Sequence, residues 1–519
     1  MFAPAVVSLL AVLFVHACSV HARCPHAGGK LNSAKLWEVG NAAGCPYGSI
    51  RQNSAQQWDF GGANASGVPD QQQTLRKRAT VDYLTTQTLD GTHNNLDNPN
   101  FDSTNGQYYI RRNHPAMFGT GTTCEPGGQT RPNARLVSSQ ALAGGPYKYT
   151  DQGHTDFLAA WGLCIHLDVT GPMRNSSDTF NITIPVGDSV FDPVSRGALS
   201  IPLDRAQYAR IVTDPISGQP DRLYTNGFTA FIDGSGLYGL GVPAPLSYDP
   251  RSYFKGELAW ETHPVLGETP PYDSATGQFK WVWGPINLVP HLTVPYLLLF
   301  REHNRRARLI TVAHPDWDDE QIYQKARRMV IATIQHITLN FYYPMRLGTA
   351  ATAYKGYNSS VNTAIDLAFN NVGFRYGHSA VNSLVQRYDE NGQVFKDGPL
   401  VLEEVFLSDE TPVLLSDGIE SIIRGFATQP EQNVDGKYAP VVRNKMPIEY
   451  PYFDLVAIDI QRYAIRQQLF RGTHDSELMF SGFFVAAGKW AWPITQLYGS
   501  LMVYPLSPAG TMCAATRSS

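Results

Sequence analysis

Three short segments carry side chains whose types and spacing suit them to bind a metal or a cofactor. In Thr229-Ala-Phe-Ile-Asp-Gly-Ser-Gly-Leu-Tyr-Gly239, the oxygens of Thr229, Asp233 and Ser235 alternate with the backbone carbonyl of Phe231. That is a compact row of hard oxygen donors of the kind calcium takes, and it equally describes a strand followed by a turn. In Phe374-Arg-Tyr-Gly-His378 an imidazole stands on an apolar stripe with a guanidinium three residues before it. Imidazole is an axial ligand of haem iron and Arg375 suits a haem propionate, although a histidine on an apolar face is also an ordinary core residue. In Asp454-Leu-Val-Ala-Ile-Asp-Ile-Gln-Arg462, Asp459 suits the second ring N–H of an iron-bound histidine, within a segment that is otherwise simply amphipathic. Spacing alone does not choose among these readings.

The elements that position these groups read as mainly α with long connections and little β. Helical periodicity runs from about 155 to 172 and from 290 to 347. Asp318, Asp319 and Glu320 place negative charge where a helix start favours it, and Ile322, Ala326, Met329, Val330, Ile334 and Ile337 follow at helical spacing. A third helix is predicted from about 362 to 387, with Phe374, His378, Val381 and Val385 on one face. Residues 23 to about 150 are rich in Gly, Asn, Gln, Pro and Thr with little periodicity, which predicts a loop-rich wrap. No linker composition divides residues 23–519, so one domain is expected.

Residues 1–22 read as a secretory signal: an apolar run from Ala5 to Val15, too short for a bilayer, precedes the small-residue pattern Val20-His21-Ala22. No later stretch reaches membrane-spanning length, and the net charge of −4 gives no reason to expect nucleic acid as a partner. Cys24, Cys45, Cys124, Cys164 and Cys513 remain after cleavage. Cys24 and Cys45 bracket a short loop and are the expected disulfide of an oxidising compartment, whereas Cys164 lies in an apolar helical pattern and reads as a buried free thiol. Sequons at Asn64, Asn175, Asn181 and Asn358 fit surface loops of a secreted glycoprotein.

Several motifs in order extend this picture. They are Asp90-Gly-Thr-His-Asn-Asn-Leu96, Arg131-Pro-Asn-Ala-Arg135, the 229–239 segment, Leu299-Phe-Arg-Glu-His-Asn-Arg305, His314-Pro-Asp-Trp317, Phe374 to His378, and Ala457 to Arg462. Together they resemble the animal haem peroxidase superfamily of the myeloperoxidase and peroxinectin type over most of the chain. The Asp-Gly-x-x-Asn-Asn-Leu opening is most like the peroxidase domain of dual oxidases. The resemblance implies a helical peroxidase domain in which His378 is the proximal ligand of haem b, Asp459 its hydrogen-bond partner, and Arg375 and Arg462 neighbours of the propionates. It makes Thr229, Phe231, Asp233 and Ser235 a calcium loop completed by Asp168, which ties the distal helix to that loop.

The same resemblance exposes departures. The family's distal segment reads Trp-Gly-Gln, two residues, then Asp-His-Asp. This chain has Leu163 for the glutamine, His166 for the haem-linking aspartate and Leu167 for the distal histidine. Pro285 stands where the distal arginine belongs and Leu288 where a second haem-linking carboxylate belongs, so non-covalent haem is implied. The family's Arg-Asp-His-Gly-Leu-Pro run is replaced after Arg462 by Tyr463-Ala-Ile-Arg-Gln-Gln-Leu469. His166 is one residue from the distal position, about 100° around a helix. A local π-bulge would bring it over the iron, and His154 is a second nearby imidazole. The expected function is a secreted haem protein that uses hydrogen peroxide to oxidise a small reductant or matrix tyrosines, weakly or atypically. The alternative is an inactive pseudo-peroxidase that serves as a structural component of an extracellular, eggshell or mineralised matrix and binds other matrix proteins.

Overall fold

A computed structural model describes residues 86–101, 108–109, 133–141, 148–171, 174–213, 220–240, 248–348, 351, 357–366, 369–370, 373–406, 418–434, 437–445 and 512–513. Its helices are α1 (Ala134–Ala141), α2 (Asp156–Val169), α3 (Ser235–Tyr238), α4 (Pro290–Ala313), α5 (Asp319–Ile337), α6 (Tyr343–Leu347), α7 (Leu402–Val405) and α8 (Glu420–Thr428). The core lies where α2, α4, α5 and α8 pack together. Twelve of the fourteen residues of α2 are buried, as expected of a helix apolar on nearly every side.

Local chemistry explains the boundaries. Asp318 caps α5 by accepting from Gln321 N at 2.8 Å, while Gln321 Oε1 accepts from Asp318 N at 3.0 Å, a reciprocal capping box. Pro290 opens α4 at a position where a missing N–H costs nothing. α5 runs on through a π-turn, Thr338–Tyr342, into α6, which stops at Gly348.

Among the described residues β structure consists of six two-stranded antiparallel sheets and a few isolated antiparallel bridges. The longest pair Arg174–Thr183 with Ser200–Ala206 and Tyr208–Thr213 with Pro220–Tyr224. The strand Phe231–Ile232 that enters the 229–239 segment pairs with Met512–Cys513.

The helix α1 lies within the stretch before residue 150, and one expectation needs correction. The single helix expected over 362–387 does not form: a 3-10 turn spans Gly373–His378, and Leu384–Val385 pairs with Leu400–Val401 as a hairpin. Gly373 and Gly377 each cost about 1 kcal/mol against alanine in a helix. Asp366 also binds Phe369 N at 3.0 Å, turning the chain locally. Phe374, His378, Val381 and Val385 therefore share no helical face.

Candidate functional site

The C-terminal end of α2 meets the 229–239 segment, and all five expected oxygen ligands converge there. Asp168 Oδ2 accepts from Gly234 N at 3.1 Å and its Oδ1 from Gly236 N at 3.2 Å. The Ser235 hydroxyl donates to the Asp168 carbonyl at 2.8 Å, and the Thr229 hydroxyl donates to Asp233 Oδ2 at 2.8 Å, with the Phe231 carbonyl 3.5 Å away. Both carboxyls are buried. Burial raises each above the usual carboxylate range, and the charge of Asp233 raises Asp168 further. Two repelling carboxylates ringed by neutral hard oxygens are a donor set that fits a calcium ion.

This end is braced from several sides. A Cβ on Gly91, in the Asp90–Leu96 motif, would lie 2.9 Å from Thr229 Cγ2, so that motif packs directly on the loop. Buried Arg327 of α5 donates to the carbonyls of Gln87 at 2.6 Å and Thr88 at 3.2 Å. His303, in the Leu299–Arg305 motif, bonds Tyr238 Oη at 2.9 Å and the Gly256 carbonyl at 2.9 Å. Asn304 holds both backbone groups of Leu258. That motif therefore braces α3 and the 256–258 turn.

On another face of α2, His166 meets the residues around His378. Its ring lies 5.5 Å from that of Phe374, which stacks on Phe369 at 5.0 Å. Burial lowers the His166 pKa well below the ordinary imidazole range, and the charges of Arg375 and His378 lower it further. Burial, then the Arg375 charge, depresses His378 to about 3. Among the described residues, His166 Nε2 and His378 Nδ1 are buried with no hydrogen-bond partner. Orphaned ring nitrogens cost about 1 to 3 kcal/mol each, so these two imidazoles call for partners that the described residues do not supply. A haem group held by imidazole fits them.

α2 is α-helical throughout Asp156–Val169 and carries no π-bulge, yet His166 already reaches the Phe374 side. Leu167 is buried in the main core, Leu163 packs partly buried against it, and Leu288 is buried. Pro285 lies half-buried in the 3-10 turn Gly284–Asn287. His154 is placed elsewhere, against Glu431. Asp459 and Arg462 lie outside the described residues, as do Cys24, Cys45, Cys124 and Asn64. Cys164 is buried and free, and burial pushes its thiol up.

A family model described as "Animal haem peroxidase" matches residues 86–463. The chain belongs to the animal haem peroxidase family. Membership implies haem as cofactor. The chain is similar to a "Dual oxidase" of Drosophila melanogaster, 29% identical over 72% of this chain and 25% of that one. It is similar to "Peroxinectin A" of Dictyostelium discoideum, 30% identical over 54% of each chain. It is also similar to "Thyroid peroxidase" of Homo sapiens, 29% identical over 54% of this chain and 35% of that one. It thus spans about half or less of these relatives. Among solved structures, Peroxidase A of Dictyostelium discoideum superposes with a TM-score of 0.59 at 25% identity, over 69% of this chain and 71% of that one. An Oryza sativa fatty acid alpha-dioxygenase shares the fold at a TM-score of 0.56 and 20% identity, over 70% and 61%.

Three features carried little or no signal in the sequence: the Phe369–Phe374 stack, the Glu431 cluster, and His291, whose buried Nε2 has no partner among the described residues. Phe374 carried a signal, four residues before His378. Glu431 carried none, because its partners Arg346 and His154 are remote in sequence.

Proposed function

We propose that this is a secreted, single-domain haem peroxidase whose turnover of hydrogen peroxide is weak or atypical. One observation supports the reading: His166, Phe374, Arg375 and His378 cluster in the interior, and two imidazole nitrogens there have no partner among the described residues. His378 is the residue to hold haem iron, with Asp459 as partner of its Nδ1 and with Arg375 and Arg462 beside the propionates. Haem, when bound, supplies the redox-active iron. Heterolysis of peroxide needs a base to take one proton and return it, and a cation to stabilise developing charge. Leu163, Leu167 and Pro285 supply neither. His166 is neutral at pH 7 and can hold the proton at Nε2, which makes it the remaining acid–base group.

Calcium at Asp168, Thr229, Phe231, Asp233 and Ser235 fixes the end of α2, and so the direction in which His166 leaves it. The reductant is a small phenol, a halide or a matrix tyrosine. Asn181 and Asn358 are exposed and suit glycan attachment; among the described residues no helix is long and apolar enough to cross a membrane. The three distal replacements favour a second reading, an inactive pseudo-peroxidase built into an extracellular matrix. Absorption spectroscopy and guaiacol turnover decide. The first reading expects a Soret band that is lost in His378→Ala and turnover that is lost in His166→Ala. A colourless preparation that binds calcium overturns it and leaves the second.

A further inference from the structure

Glu431 lies outside every motif named above, yet it stands where α2, the stretch after His378 and α6 meet. Its carboxylate is 1% exposed and takes two bonds from Arg346, at 2.5 and 2.7 Å, with His154 Nδ1 at 3.2 Å from Oε1. The Glu431 backbone N donates to the His154 carbonyl and Asp156 N to the Gln429 carbonyl, fastening residues 429–432 to the start of α2. From the opposite side, Gln432 N donates to the Ala380 carbonyl at 3.0 Å, and Asn382 Nδ2 donates to Asp156 Oδ1 at 2.7 Å and the Pro430 carbonyl at 2.9 Å. Gln429 Nε2 donates to the Leu384 carbonyl at 2.8 Å. Arg346 is carried on α6, directly after the π-turn whose Thr338 accepts the Trp161 indole N–H at 3.1 Å.

We propose that Glu431, clamped by Arg346 and His154, is a positioning residue that sets the separation between the His166 face of α2 and the His378 segment. This rests on reading those two histidines as the facing sides of the haem site. Burial, opposed by the Asn382 bond and aided by the Glu431 charge, raises the Asp156 carboxyl well above its ordinary range. Negative charge therefore resides on Glu431, where Arg346 balances it. Losing one member of a buried pair strands the other, so the clamp is kept whole or released, and releasing it frees both sides at once.

Hydrogen exchange on the full chain tests this without haem. Glu431→Gln is expected to speed exchange about tenfold at 156–162 and at 380–386 together, leaving α5 unchanged, because a buried pair has been broken. Asn382→Ala, the milder variant if the first does not fold, is expected to give the same two-sided pattern at about threefold. With haem loaded, Glu431→Gln is also expected to shift the Soret maximum and the ferric electron-spin-resonance pattern. A rise on one side only, or an equal rise throughout including α5, overturns the proposal. A wild-type protein that takes up no haem defeats the functional reading, while the exchange result still decides the clamp.

Discussion

The two faces of α2 are satisfied in opposite ways. At Asp168, carboxylates, hydroxyls and backbone N–H groups find one another within 3.5 Å, and the surrounding motifs brace that arrangement. Two residues earlier, at His166, aromatic rings supply the packing while ring nitrogens at His166 and His378 stay unpaired among the described residues. The first end is complete except for a charge to separate its carboxylates. The second lacks a partner of another kind, one that bonds imidazole and fills an aromatic slot. The contrast distinguishes a site that stabilises the fold from one that the fold tolerates at a cost.

The largest expected effect lies at the satisfied end. Asp168→Ala strands the buried N–H groups of Gly234 and Gly236, and the loss is expected to be about 4 kcal/mol. Denaturant unfolding with calcium and with chelator measures it. Wild-type protein should gain stability from calcium and the variant should not, whereas equal responses would remove Asp168 from the ligand set.

Next in size is an acid effect that asks whether an orphan imidazole marks a site by itself. His291, at the start of α4, has a buried Nε2 with no partner among the described residues and packs tilted against Phe426 at 4.7 Å. Burial lowers its pKa to about 4, against about 6.5 in an unfolded chain. Between those values the unfolded state binds the extra proton, so this contribution is intact above pH 6.5 and is lost as pH falls toward 4. The cost is about 3 kcal/mol. His291→Phe should flatten the stability curve across that window by close to one proton. An unchanged slope would mean that His291 has a partner in solution.

At the unsatisfied end the sign should reverse. His166→Leu removes an orphaned nitrogen at similar volume, and the haem-free protein is expected to gain about 1 kcal/mol. Loss of stability instead would show that His166 bonds a group within the chain, and the contrast between the two faces would collapse.

Much of this was legible in the sequence because it is local. Acidic residues before an apolar stripe announced α5, and its cap adds only Gln321. The alternating oxygens of 229–235 do converge, and Asp168, suggested only by the family resemblance, lies against Gly234 and Gly236. Periodicity failed over 362–387, where Val381 and Val385 mimic a helical face but two glycines and a downstream strand partner at Leu400 and Val401 decide the backbone. The Glu431 clamp was illegible for a different reason. Arg346, His154 and Glu431 come from three distant segments, and each alone looks like a surface charge.

The smallest expected effect separates a brace from a ligand. His303 is buried, and burial lowers its pKa to about 4, so it is neutral at pH 7. The Gly256 carbonyl can only accept, so Nε2 carries the hydrogen, leaving Nδ1 to accept from Tyr238 Oη. The Gly256 carbonyl therefore fixes the histidine's tautomer, and the Tyr238 hydroxyl, donating to Nδ1, ties His303 to α3 and so to Ser235. Tyr238→Phe removes that donor and should cost about 1 kcal/mol, with a calcium affinity lower by about threefold. Because no donor atom of the calcium set is removed, the affinity change reports positioning alone. If calcium binding instead disappears, Tyr238 is doing more than holding His303, and the satisfied end of α2 is less self-sufficient than its hydrogen bonds indicate.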